Sequence, residues 1–166
     1  MEKLNTNWMM INIESGEMKE LPTKFNANKI PHSYLLTFYG NLRKQNFRPT
    51  LGQLVILGEM DNNNALFFPK EMLTKISQYY DIPIDTLRTD VKRLISNDII
   101  IKIAQNVYFV DPHLFTKTSK ERVEQLRNNW NKISLAHFKE KTKKEIAKIK
   151  DENLINKVKG ILNEEQ

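Results

Sequence analysis

The 166-residue chain has no cysteine, which excludes disulfides and thiolate metal sites and fits a reducing compartment. No apolar run approaches the ~18 residues a membrane span needs, so no membrane partner is expected. The opening "MEKLNTNWMMINIESGE" lacks the charged start and long apolar stretch of an export signal. These absences lead us to expect a cytoplasmic protein. The only histidines are His32, His113 and His137, and no two share a metal-ligand spacing. There is no Gly-rich phosphate loop, no Gly-x-Ser-x-Gly elbow and no paired-histidine nuclease motif. Each histidine reads as a surface or packing residue, and no enzyme activity, metal or cofactor is expected.

What is present is a foldable, basic chain. Hydrophobic residues make up 40% and charged ones 28%, enough for one domain with a proper core and a helical appendage. The net charge is +6 and the pI about 9.4. That bias favours an acidic partner such as nucleic acid, although many basic proteins bind none.

Turn and proline signals divide the chain. "WMMINIESGEMKEL" reads as two short strands around Ser15-Gly16, with Gly supplying the positive φ of a hairpin turn. A plain structural flap is preferred there over a binding element. Pro31, Pro49, Pro69, Pro83 and Pro112 each precede or open an apolar-periodic segment. After Pro31, Tyr34, Leu35, Phe38, Tyr39 and Leu42 fall on one helical stripe; after Pro49, Leu51, Leu54, Val55 and Leu57 do the same. Gly52 and Gly58 inside that second helix imply close packing or a frayed end. "ALFFP" reads as a short strand and "KEMLTKISQYY" as a helix burying Met72, Leu73, Ile76 and Tyr80. A break at Asp81-Ile82-Pro83 leads into a further helix. "IIIKI" and "VYFV" then read as a hairpin around Ala104-Gln105-Asn106, ended by Asp111-Pro112.

From Pro49 the order is helix, strand, helix, turn, helix, strand, loop, strand, which is that of a winged helix-turn-helix. The helix over "IPIDTLRTDVKRLI" gathers Ile84, Leu87, Val91, Leu94 and Ile95 on one side. Opposite stand Asp85, Thr86, Thr89, Lys92, Arg93 and Ser96, with Arg88 and Asp90 on the flanks. A helix entering the major groove needs short polar residues near its start and Arg or Lys to reach phosphates or guanine edges. Thr86 and Thr89 meet the first need; Lys92, Arg93 and Arg88 meet the second. Asp85 fits the positive end of the helix dipole. The plainer alternative is a solvated polar face. The hairpin carries Lys102, Gln105 and Asn106 as its polar features, and is too apolar to grip phosphate strongly.

Toward the end, Thr118-Ser119-Lys120-Glu121 reads as a capping box opening a helix that buries Val123, Leu126, Trp130 and Ile133. Residues 139–150 hold six lysines against Glu140 and Glu145. Apolar residues recur at Ile146, Ile149, Leu154 or Ile155, Val158 and Ile161 or Leu162. Such a segment suits a partner helix, DNA phosphates or an anionic membrane, with a symmetric dimer preferred; a solvated tail is the plainer alternative.

The "ESGE" turn and above all "IDTLRTDVKRLISNDIIIKIAQNVYFVDPHLF" resemble the Firmicute plasmid replication (RepL) family. The matching positions are Thr86, Thr89, Leu94, Asn97, Ile99, Ile100, Val107, Val110, Asp111, Pro112, Leu114 and Phe115. The resemblance runs from about Trp8 to Trp130, and the lysine-rich tail is not matched. It implies binding of origin DNA in plasmid replication or copy control, without the nicking residues of a relaxase-type initiator.

The expected fold is mainly α with small β: an N-terminal β-hairpin segment (1–30), a winged helix-turn-helix domain (31–117) and a basic C-terminal helical extension (118–166) that is a candidate for dimerisation. The expected DNA-binding residues are Thr86, Arg88, Thr89, Lys92, Arg93, Ser96, Lys102, Gln105 and Asn106. The expected partners are double-stranded DNA at a plasmid origin or operator, a second copy of the chain and host replication proteins. A winged-helix transcriptional regulator and an adaptor that binds no DNA are the alternatives.

Overall fold

Tyr34–Phe38, placed on a helical stripe by the sequence pattern, forms a strand instead in a computed structural model that describes residues 8–20 and 34–148. The physical reason is burial on both faces. Leu35 packs into the main core while Leu36 packs on the opposite side, so the strand reads as a continuous apolar run without alternation. Only Tyr39–Lys44 (α1) is helical in that segment.

The strand Tyr34–Phe38 (β3) is central to a four-stranded sheet. β1 (Trp8–Asn12) pairs antiparallel with both β2 (Met18–Glu20) and β3, and β3 pairs antiparallel with β7 (Phe115–Thr116), giving the order β2-β1-β3-β7. The β1–β2 turn is built as the sequence suggests: Gly16 has φ 71°, and the Asn12 side chain accepts from the backbone N–H groups of Glu14 and Ser15. The hairpin is anchored, because Ile11 and Ile13 lie in the main core.

α2 (Leu51–Gly58) is the buried centre of the fold. Thr50 and Gln53 form a reciprocal capping box at its start. Leu54, Val55, Ile56 and Leu57 are all buried, whereas Leu51, expected in the core, is 43% exposed. Lys117 Nζ donates to the carbonyl of Gly58, the last residue of the helix. Burial pushes the Lys117 pKa down, and nearby Glu59 works against that shift.

A second sheet follows from β4 (Ala65–Phe67), β5 (Ile100–Ala104) and β6 (Val107–Val110), all antiparallel in the order β4-β6-β5. Between β4 and β5 come α3 (Lys70–Tyr80) and α4 (Ile84–Ser96). Among the described residues about half are helical and the strands form two antiparallel sheets, so this is a mixed α and β protein, in line with the helices and smaller β part expected.

α5 (Lys120–Lys148) begins one residue later than a Thr118 cap would place it, with the Ser119 carbonyl accepting from the N–H groups of Arg122 and Val123. Val123 packs on Trp8 and Leu36 of the larger sheet, and Trp130 meets Phe109 of the smaller one at 5.6 Å between ring centroids. Arg127 lies over Trp8 and Phe38, at 5.6 and 5.5 Å from the ring centroids. Ile133, expected to be buried, is only half-buried. Two compact units divide the chain after Trp130, 1–130 and 131–166. The apolar positions expected from Ile149 to Leu162 lie outside the described residues. Among the described residues, no helix is long and apolar enough to cross a membrane.

Candidate nucleic-acid interface

The α3–α4 connection is set by Asp81, which ends α3 in the left-handed region at φ 53°. An aspartate tolerates that conformation better than most residues with a Cβ. The Ile82 N–H returns to the Ser77 carbonyl, and the Pro83 carbonyl accepts from Thr86 and Leu87 to start α4. At its far end, Asp98 at φ 55° lets the Asp98 and Ile99 N–H groups reach the Ile95 and Leu94 carbonyls. That pair of bonds is a Schellman stop, reached without glycine.

α4 is held by Leu87 and Leu94, both 0% exposed. Ile84 and Val91 are half-buried, and Ile95, expected among the core residues, is 39% exposed. Asp90, placed on a flank from the sequence, is buried at 3% against Gly52 of α2. A Cβ on Gly52 would collide with the Asp90 carboxylate, so the close packing expected at this glycine is present.

The six expected contact residues of α4, Thr86, Arg88, Thr89, Lys92, Arg93 and Ser96, are all exposed. They do not stand in equal states. Thr89 Oγ1 donates to the Asp85 carbonyl and Ser96 Oγ to the Arg93 carbonyl, at 2.9 and 3.1 Å. Arg88 pairs with Asp85 at 2.9 Å, an exposed contact of little energetic consequence that a phosphate can displace. Among the described residues, Lys92 and Arg93 form no ion pair, so their charge is available.

Lys102, Gln105 and Asn106 are exposed at the β5–β6 hairpin. Asn106 takes φ 57° in the turn, and its carbonyl accepts from the Phe68 N–H at 2.7 Å, tying the turn to the end of β4. The register steps between Lys102 and Ala104, leaving Ile103 as the extra residue of a bulge, 47% exposed. Phe67, Val107 and Ala104 align across the sheet, with Phe67 58% exposed. The apolar residues of this hairpin therefore divide: Ile100, Ile101, Phe109 and Val110 are buried, while Ile103 and the neighbouring Phe67 face outward.

Sequence reasoning missed two polar features nearby. His113, read as isolated, donates from Nδ1 to the Asp111 carboxylate Oδ1 at 2.8 Å. Asn64 is buried between the sheets: its amide donates to the Val110 and Phe115 carbonyls, and its oxygen accepts from Thr116 Oγ1. The "DNNN" turn signal located Asn64 without showing what its side chain would reach.

The class defined by these observations is a basic, mixed α and β protein that presents one cationic polar helix face beside a β-hairpin. The chain belongs to the Firmicute plasmid replication protein (RepL) family, whose sequence model matches residues 3–162. It is thus a plasmid replication-related protein. The match extends through most of the lysine-rich tail, which the resemblance read from the sequence did not cover. No curated protein and no solved structure matches the chain.

Proposed function

We propose that α2, α3 and α4 with the β4-β6-β5 sheet form a winged helix-turn-helix, and that it binds double-stranded DNA sequence-specifically at a plasmid origin. In this reading α4 enters the major groove, Thr86 and Thr89 allow close backbone approach, and Lys92, Arg93 and Arg88 contact phosphates or base edges. Lys102, Gln105 and Asn106 add lesser contacts from the hairpin. The protein acts in replication initiation or copy control, uses no catalytic chemistry of its own, and works in the cytoplasm. The observation that carries the reading is the α4 face itself: Leu87 and Leu94 fix the helix from one side, while Lys92 and Arg93, with no ion pair among the described residues, stand exposed on the other.

Duplexes tiling the DNA that carries the gene supply the test, by fluorescence titration across a salt series. Lys92→Ala with Arg93→Ala weakens the tightest complex and lowers the slope of log K against log salt by about 0.9 per lost phosphate contact. Lys102→Ala alone has the smaller effect. Unchanged affinity and slope in the double variant would sink the assignment of α4 and favour an adaptor that binds no DNA. A regulator acting on its own promoter differs in consequence: only an initiator lets an origin-bearing plasmid replicate with no other replication gene.

A further inference from the structure

A groove of about 1100 Å³ opens between the β1–β2 turn and the segment joining α1 to α2, well away in sequence from α4. Its apolar lining includes Ile11, Leu42, Phe47 and Leu54, and Met18 and Leu51 also line it, each 43% exposed. Among the described lining residues, Arg43 and Arg48 are the cations and Glu14 the one carboxylate. Among the described residues, neither arginine forms an ion pair.

We propose that this groove docks an acidic peptide segment of a partner protein, anchored by apolar side chains. Its volume lies at the upper end of that of small-molecule sites and it opens to solvent, which suits an extended segment. Met18 and Leu51, both part-exposed, offer apolar contact to an occupant, and methionine adapts readily to varied anchors. Arginine is the cation that interfaces favour, because its planar fork meets carboxylates bidentately. Duplex DNA would use the arginines but gains nothing from Met18 and Leu51. The chain's own segment 21–33 carries Lys24 and Lys29 and no acidic residue, the wrong charge for these arginines. The proposal stands apart from the DNA-binding reading, and fits a replication protein that must bring other proteins to its site.

Selection of a random peptide display library on the full-length protein tests it, followed by anisotropy titration of the winning peptide. Enriched sequences combine Asp or Glu with large apolar residues. Arg43→Ala with Arg48→Ala weakens the winner by about tenfold or more, and Leu51→Asp does the same. Lys92→Ala with Arg93→Ala leaves it unchanged. These are surface positions, and a thermal melt confirms that each variant folds. Enrichment without an acidic and apolar pattern, or affinity indifferent to all three groove substitutions, overturns the proposal. Loss of duplex binding in the Arg43 and Arg48 variant, with no peptide selected, assigns the groove to nucleic acid and overturns it equally.

Discussion

Gly52 and Asp90 show how a single hydrogen side chain positions the proposed recognition helix. α2 and α4 approach closely because nothing projects from Gly52 where the Asp90 carboxylate lies. Gly52→Ala gains helix propensity of ~1 kcal/mol but forces the carboxylate to move, a steric cost of ~1–3 kcal/mol. The expected result is net destabilisation in urea unfolding, partly relieved when Asp90→Ala is combined with it. A stabilised Gly52→Ala protein would show that the two helices do not need this contact. At the same scale, the chain has five glycines, and among the described residues five that are not glycine take positive φ: Asn46, Asn64, Asp81, Asp98 and Asn106. Asn and Asp bear the left-handed conformation with least strain among residues that have a Cβ, so this glycine-poor chain turns its corners with them.

Among elements, the join between the two sheets depends on one buried amide. Asn64 reaches the Val110 carbonyl of β6 at 3.2 Å and the Phe115 carbonyl of β7 at 2.7 Å, and accepts from Thr116 at 2.9 Å. Asn64→Ala leaves these buried groups unpaired and costs about 2–4 kcal/mol, read as a fall in the denaturation midpoint. Asn64→Asp keeps the size and tolerates the backbone, but offers no amide donor, so at neutral pH it loses at least as much. A wild-type midpoint for Asn64→Asp would remove the bridging role. Elements with a clear period and punctuation were legible from the sequence: α2 through Pro49 and its apolar stripe, α3, α4, and the β5–β6 hairpin. β3 was not, because a strand buried on both faces has lost the alternation that distinguishes it from a helix. β7 has two residues, too few to carry any pattern.

For the whole molecule, charge is distributed unevenly. Residues 139–150 hold six lysines against two glutamates, a surplus of four within a total of +6. On the described part of the second unit, Leu135 is 58% and Phe138 38% exposed, three residues apart on one helical face. This is the spacing of a helix seam, and we propose a second copy of the chain as its partner. Leu135→Asp with Phe138→Asp, and deletion of residues 139–166, are each expected to convert a dimer to a monomer by light scattering, and the deletion to flatten the salt dependence of DNA binding. An unchanged mass would refute the tail's role in association.

The sequence by itself determined the family, the surplus of positive charge and the polar face of α4, because each is a property of composition or local spacing. It gave Thr86, Thr89, Lys92 and Arg93 one side of a helix, and the structure leaves all four exposed. Only the tertiary structure decided that Asp90 is buried against Gly52, that Asn64 joins two sheets, and that Arg43 and Arg48 line one groove with Met18 and Leu51. Those are contacts between residues distant in the chain. No periodicity encodes them, since they depend on which elements the folded backbone brings side by side.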